Sequence, residues 1–457
     1  MSAPFAEAGD ASTVEEVYAR LLERAPENRM APRLDAMRRV MEVLGEPQRA
    51  APVIHLTGTN GKTSTARMIE ALLLAHDLRV GRYTSPHLAR VTERISVDGQ
   101  PVDDDTFVRV YGEIAPYLGF VDAELAERGE PRLSYFETVT ALGFAVFADA
   151  PVDVVVLEVG IGGSWDATNV ADAAVSVVTP IDLDHTDMLG DTLGEIATEK
   201  SGILKPHGFL VSAPQAPEAA EVLLARAREL GVPFRFGGVE FGVESRATAV
   251  GGQVLSLQGL AGRYPEVLLP LFGVHQAENA ATAVAAVEAF LGGGEKDLNP
   301  ELVRAGLGAV ESPGRLELAR KAPPVLLDAA HNPHGLTAAA AALKEAFTFG
   351  KLNLVVGVLH EKDAEAMLRV LLDEYEEFHT EFWFTRSSSP RAVDPQELAE
   401  LAVDLGFPED VVHAVGTLDD AVAEAVQDAA GRPEFDGAVL VTGSITVVGE
   451  ARTLLGL

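Results

Sequence analysis

The chain has 457 residues, 47% of them hydrophobic and 23% charged, enough to bury the cores of two or three globular domains. Its 69 acidic against 36 basic residues give a net charge of −33, which excludes nonspecific binding to nucleic acid or an anionic membrane and means that any polyanionic ligand needs a locally basic pocket. Cysteine is absent, so there are no disulfides, thiolate metal sites or thiol nucleophiles; with no signal-peptide layout in Met1–Asp10 and no unbroken apolar span, the reading is a cytoplasmic protein.

The first element is an apolar run, Ala51–Thr57, followed by Gly58-Thr59-Asn60-Gly61-Lys62-Thr63-Ser64 and a helical stretch from Ser64 to about Ala75. A strand feeding a small glycine-bearing loop that opens a helix points backbone N–H groups at an anion, and the helix dipole favours negative charge there. Lys62 adds a point cation for the outer phosphates, and Thr63 or Ser64 a hydroxyl toward Mg2+. The upstream glycine of the full nucleotide-loop pattern is replaced by Leu56, so a plain glycine turn before a helix is the alternative.

Next comes a strand-like Leu78–Tyr83 ending in Thr84-Ser85-Pro86-His87, which reads either as a Ser-Pro turn or as a hydroxyl presented at a strand end. The run Val152–Val159 is interrupted by Glu158 and followed by Gly160-Ile161-Gly162-Gly163. A carboxylate in an apolar strand is costly unless it is paired, metal-bound or able to reach solvent. Ala174–Ile181 leads to Asp184-His185-Thr186-Asp187, where His185 is a ligand or a structural histidine and the acids are ligands or ordinary loop residues. Thr192-Leu193-Gly194-Glu195 is a capping box opening a helix that carries Glu199-Lys200 and stops at Gly202.

After Gly208–Ala213 the pattern shortens and alternates between about 234 and 271, predicting a small antiparallel patch. A helix from about Glu278 to Leu291 ends at Gly292-Gly293-Gly294. Past Pro313-Gly314 a second α/β series begins, with strands at Val325–Asp328, Leu352–Val358, Glu381–Thr385, Val411–Val415 and Gly437–Thr442. The expected division is therefore 1–310 and 311–457. Asp328 and His331, in Asp328-Ala329-Ala330-His331-Asn332-Pro333, sit at a strand end where an acid can hold ribose hydroxyls or simply cap a helix. Arg315, at the presumed hinge, reads equally as a phosphate contact and as a solvated surface arginine.

Taken in order, Thr57–Lys62, Tyr83–Leu88, Ser134–Glu137, Leu157–Gly163, Asp166–Asn169, Asp184–Asp187, Glu199–Ile203, Pro313–Arg315 and Asp328–Pro333 closely resemble the folylpolyglutamate synthase and dihydrofolate synthase family, relatives of the Mur ligases. The resemblance runs from about Leu34 to the C-terminus. It implies an α/β fold, a P-loop parallel-sheet ATPase domain of Mur-ligase type followed by a smaller Rossmann-like domain. It also implies ATP-dependent amide formation, in which a pteroate or folyl carboxylate is phosphorylated and the amine of L-glutamate attacks the acyl phosphate.

The resemblance lays roles on positions. Thr59, Asn60, Gly61, Lys62, Thr63, Ser64, Asn279, Arg315, Asp328 and His331 would hold ATP; Ser85, Glu158, His185 and Lys200 would hold Mg2+, with Lys200 carboxylated. Lys62, Lys200, Arg315 and His185 would act in the chemistry, and Arg33, Leu34, Ser134, Tyr135, Trp165 and Asp166 would line the pterin side, with Pro32 to Asp35 the less firmly placed part. A carbamate needs a neutral amine, so Lys200 is expected to have a lowered pKa from burial or nearby metal charge. A monovalent cation is an optional further cofactor, the partners are dihydropteroate or folates, L-glutamate and ATP with no nucleic acid or membrane, and a monomer is expected.

Two positions depart from the family pattern. Thr63 stands where many folate enzymes have glycine and looks more Mur-like, and Ser164 stands where arginine is usual. The closest rival reading, a Mur-type ligase of cell-wall precursors, is disfavoured because too little chain precedes the loop for a domain that holds a UDP-sugar. A nucleotide switch without ligase activity is disfavoured by the absence of an Asn-Lys-x-Asp segment.

Overall fold

The computed structural model describes residues 11–26, 32–375, 378–431 and 436–457; Met1–Asp10, read above for a signal sequence, lies outside them. Its first sheet holds β1 (Val53–Thr57), β2 (Val80–Tyr83), β3 (Ile95–Val97), β4 (Gln100–Pro101), β5 (Val154–Glu158), β6 (Ala173–Val178), β7 (Phe209–Ser212) and β8 (Phe234–Phe236), in the order β4-β3-β2-β5-β1-β6-β7-β8. Pairing is parallel from β2 to β8 and antiparallel at the β2–β3–β4 edge. Every residue of β1 and β5 is buried, which is why both read as mostly apolar runs, broken by His55, Thr57 and Glu158, and not as alternating ones.

The strand order fixes where a ligand can sit. β1 lies between β5 and β6, with Leu56 beside Glu158 and Thr57 beside Val178. The chain leaves β1 toward β2 and β5 on one side and β6 and β7 on the other, so a crevice opens beyond its carboxyl end. Four loops meet there, those following Thr57, Tyr83, Glu158 and Val178.

Helices lock this arrangement from the flanks. Tyr135–Asp149 is nearly all apolar and buries Phe136, Phe144 and Phe147 in a cluster with Met37, Met41, Tyr83 and Leu157. Each such ring contributes about 1.5–3 kcal/mol by leaving water. A second cluster, with Ile196, Leu210 and Leu223, seats the helices Leu193–Lys200 and Pro217–Leu230. Phe234–Phe236 extends the parallel sheet beside β7 instead of joining the patch that the alternating pattern suggests, because its backbone completes the open edge of β7. The patch itself is β9 (Gly242–Ala249), β10 (Gly252–Gln258) and β11 (Arg263–Leu269), in the order β11-β10-β9.

The molecule divides into two compact units. The first runs to Ser245 and takes in Leu255–Val267 and Glu278–Val310; the second comprises Arg246–Val254, Leu268–Ala277 and Glu311–Leu457. Two short stretches ahead of Glu311 thus belong with the second unit, where Arg246 pairs with Glu345 at 2.6 Å and Gln253 Nε2 donates to the carbonyls of Leu271 and Gly273 at 2.9 and 3.0 Å. The second unit's sheet is β12 (Glu317–Lys321), β13 (Pro324–Leu327), β14 (Lys351–Val356), β15 (His379–Phe384), β16 (Val412–Ala414) and β17 (Gly437–Thr442), in the order β12-β13-β17-β14-β15-β16. All its pairs are parallel except β12 with β13.

Candidate active site

The loop after β1 is held from below. Thr57 Oγ1 donates to the Gly162 carbonyl at 2.7 Å, the Thr59 N–H donates to Pro180 at 2.9 Å, and Thr59 Oγ1 donates to the Asp182 carbonyl at 2.9 Å. Gly61 ends the loop with φ +84° as the N-cap of the helix Lys62–Ala75, and a Cβ there would lie 2.6 Å from Asn279 Oδ1. Only glycine fits that backbone and that close side chain. Asn279 therefore sits directly against the loop.

Lys62 Nζ folds back to donate to the carbonyls of Gly58 and Thr59 at 3.0 and 3.1 Å. The helix behind it brings Thr63 Oγ1 to both oxygens of Glu158, at 2.9 and 3.0 Å. Glu158 is 1% exposed, and the N–H of Ser85 also donates to it. Burial raises its pKa, opposed by Lys62, Thr63 and Ser85. Hydroxyl and carboxylate oxygens gathered in this way are the hard donors that Mg2+ takes while keeping several waters, so the residues fit the ion.

Lys200, at the end of the helix Leu193–Lys200, is 4% exposed, and its amine donates to the Gly58 carbonyl at 2.9 Å, the same oxygen that Lys62 reaches. Burial first, then the charge of Lys62, pushes it down to about 7, although Asp184, Asp166 and Glu199 pull the other way. Gly163 permits this approach: a Cβ there would stand 2.7 Å from the Glu199 carbonyl and 2.9 Å from that of Lys200. His185 is held at φ +51° with Nε2 3.9 Å from Asp184 Oδ2. Asp184, which the sequence left open between a ligand and an ordinary loop acid, lies close enough to Lys200 to act on its charge.

Of the residues expected on the pterin side, Arg33, Leu34, Ser134 and Tyr135 gather around the start of the helix Tyr135–Asp149, whereas Trp165 and Asp166 lie on the turn after β5. Ser134 caps it, accepting from the Glu137 N–H at 3.2 Å while Glu137 accepts from the Ser134 N–H at 2.7 Å. Arg33 grips Glu137 with Nε and Nη2 at 3.1 and 3.2 Å, and Leu34 packs on the same core. The Tyr135 ring lies under the Arg94 guanidinium at 5.1 Å. Asp166 is buried and accepts from the N–H groups of Gly160, Ile161 and Thr168 and from Thr168 Oγ1, so it shapes the glycine turn. Burial raises its pKa to about 6. Trp165 is half-buried against the second core cluster. Ser164 Oγ donates to the Glu199 carbonyl at 3.0 Å, fastening the turn to the end of the Lys200 helix.

In the second unit Asp328 is buried and accepts from the N–H groups of Leu316 and Ala330 at 3.0 and 2.9 Å. Burial raises its pKa and the half-buried Arg315 opposes the rise. His331 Nδ1 donates to the Ala329 carbonyl at 2.9 Å, and Asn332 caps the helix Pro333–Ala346. Arg315 also helps hold His275 down at about 4, after burial. His275 and Arg82 carry no sequence motif; for Arg82 the available sign was a charge inside the strand-like Leu78–Tyr83.

Residues 118–287 match the Mur ligase middle domain, and residues 314–445 match the Mur ligase, glutamate ligase domain. The chain is 46% identical over 453 residues to the dihydrofolate synthase/folylpolyglutamate synthase of Mycobacterium tuberculosis, covering 95% of this chain and 92% of that one. A crystal structure of Mycobacterium tuberculosis folylpolyglutamate synthase complexed with ADP and AMPPCP superposes with a TM-score of 0.90 at 45% identity, covering 97% of this chain and 98% of that one. Escherichia coli FolC in complex with DHPP and ADP superposes with a TM-score of 0.79 at 30% identity, covering 97% and 98%.

Proposed function

The chain belongs to the dihydrofolate synthase/folylpolyglutamate synthase family of ATP-dependent Mur-type ligases, and from that premise we propose that it joins the amine of L-glutamate to the carboxylate of dihydropteroate and of reduced folyl(poly)glutamates. A carboxylate oxygen of the acceptor attacks the γ-phosphorus of ATP and ADP leaves. The glutamate amine then attacks the acyl carbon and gives up a proton as phosphate departs. Little covalent work falls to the protein; position and charge carry the acceleration.

One observation carries the reading: the loop from Gly58 to Ser64, the Thr63–Glu158–Ser85 contacts and the Lys200 amine converge on the carboxyl end of a single parallel strand. Thr59 to Ser64 supply N–H groups and hydroxyls for the phosphates, and Lys62 is the mobile cation that follows the charge as it shifts. Ser85 and Glu158 would hold Mg2+, assisted by His185 and by Lys200 as its carbamate. The ion, when bound, spreads phosphoryl charge as a Lewis acid. Asn279 is assigned to the nucleotide from its seat against Gly61. Arg315, Asp328 and His331 keep nucleotide roles as proposals resting on the chemistry of the second unit alone. Arg33, Leu34, Ser134, Tyr135, Trp165 and Asp166 are assigned to the pterin side, the first by way of the helix start it buttresses.

Among the described residues no helix is long and apolar enough to cross a membrane; with the composition, this supports a cytoplasmic enzyme, which we read as a monomer. The test offers Mg-ATP and L-glutamate with dihydropteroate, tetrahydrofolate or a UDP-muramyl precursor in separate reactions, with potassium present or replaced. Expected are phosphate release and a product one glutamyl residue heavier with the first two acceptors. Product only with the muramyl acceptor would move the enzyme to cell-wall synthesis, and phosphate release indifferent to every acceptor would make it a switch.

A further inference from the structure

Arg82 lies within parallel strand β2, with its side chain 2% exposed. Its three guanidinium nitrogens are all used: Nε donates to Glu70 Oε2 at 2.6 Å, Nη1 to Thr84 Oγ1 at 2.8 Å and Nη2 to Ser96 Oγ at 2.7 Å. The three partners belong to different segments. Glu70 is on the helix Lys62–Ala75, which also carries Lys62 and Thr63; Thr84 directly precedes Ser85; Ser96 is on β3. Stability does not by itself account for such a residue. Burying two charges costs several kcal/mol per ion, and apolar side chains of similar volume commonly hold a core at least as well. What a planar fork adds is direction, with three donors at fixed angles joining groups that would otherwise settle independently.

We infer that Arg82 is a positioning residue for the divalent ion: it sets the Thr84-Ser85 segment in register with the phosphate-loop helix. Ser85 then meets Glu158 from one side while Thr63 meets it from the other. Both halves of that register are in place, since Glu158 accepts from Thr63 Oγ1 and from the N–H of Ser85, and Thr84 is itself buried with its N–H on the Arg94 carbonyl at 2.9 Å. Sites of this kind lose function when a supporting group shifts by about an ångström. The inference rests on the reading above that Ser85 and Glu158 hold Mg2+.

Thr84→Val removes the acceptor at constant shape, and Thr84→Ser restores it. Mn2+ binding to the full-length protein with saturating ADP is followed by electron paramagnetic resonance, beside metal-free ADP binding and thermal unfolding. Expected for Thr84→Val is Mn2+ affinity lower by about 10-fold, within the range for outer-shell partners of metal ligands, with metal-free ADP binding kept within about twofold of the wild type. Thr84→Ser and the more disruptive Arg82→Lys follow, the first matching the wild type and the second falling with Thr84→Val. Unchanged Mn2+ affinity in Thr84→Val, or a loss matched by metal-free ADP binding, overturns the inference. Failure of the wild type itself to bind Mn2+ with ADP overturns the metal reading and this one with it.

Discussion

Two lysine amines share the Gly58 carbonyl oxygen, and they cannot both carry charge there cheaply. Lys62 is half-buried on the loop, whereas Lys200 is sealed in by Gly163 and the Glu199 turn, so Lys200 is the one driven toward neutrality, down to about 7. A neutral amine is the nucleophile that carbamate formation requires, and a carbamate there would replace a surplus cation by an anion. The outcome expected with labelled bicarbonate is a carbamate carbon-13 resonance in the wild type that is missing in Lys200→Arg. That variant is also expected to lose on the order of 100-fold in kcat. A wild-type spectrum without the resonance, or an active Lys200→Arg, rules the carbamate out. The positive charge at Lys62 and the turn at Gly61 were legible in sequence. The identity of the shared acceptor was not, because it is a backbone atom brought there by a residue far along the chain.

At the scale of elements, β1 carries a cost that acid should expose. His55 is fully buried in β1, and Nε2 lies 2.8 Å from Thr168 Oγ1. That hydroxyl already donates to Asp166, so Nε2 donates to it, and burial keeps the ring neutral. Burial pushes its pKa down to about 3 from an ordinary 6.5. Between those values the unfolded chain binds a proton that the native ring refuses, so the contribution to stability is whole above 6.5 and is lost as pH falls toward 3. His87, at about 3, and His275, at about 4, act with the same sign. Urea unfolding at a series of pH values should show His55→Gln with a shallower acid slope, by about 1.4 kcal/mol per pH unit. Parallel slopes in variant and wild type would place the ring's titration elsewhere. Strands buried on both faces were readable as apolar runs, as the match of Val154–Glu158 to its predicted segment illustrates. Short pieces such as Phe234–Phe236 were misplaced, since three residues hold no period long enough to tell an edge strand from a hairpin. Glu288 was invisible for another reason. It is a buried acid in the helix Val274–Gly292 that accepts from Tyr264 Oη at 2.6 Å and from the N–H of Gly262 at 3.0 Å, and those contacts exist only after the turn between β10 and β11 has folded onto it.

For the whole molecule, the ordered blocks of sequence carried the family because several of them, Thr57–Lys62, Tyr83–Leu88, Leu157–Gly163 and Asp328–Pro333, mark the carboxyl ends of strands, where backbone geometry and ligand chemistry constrain residues together. Pairing between distant segments had no such mark. The stretches Arg246–Val254 and Leu268–Ala277 join the second unit through contacts such as Arg246 with Glu345, which lie far apart in the chain. The central claim is that the glutamate amine attacks an acyl phosphate formed on the acceptor carboxylate. Dihydropteroate carrying heavy oxygen in its carboxylate, turned over with Mg-ATP and L-glutamate, tests it most directly by mass spectrometry of the phosphate released. One heavy oxygen in each phosphate is the predicted result; phosphate free of label, alongside an amide product, would contradict it.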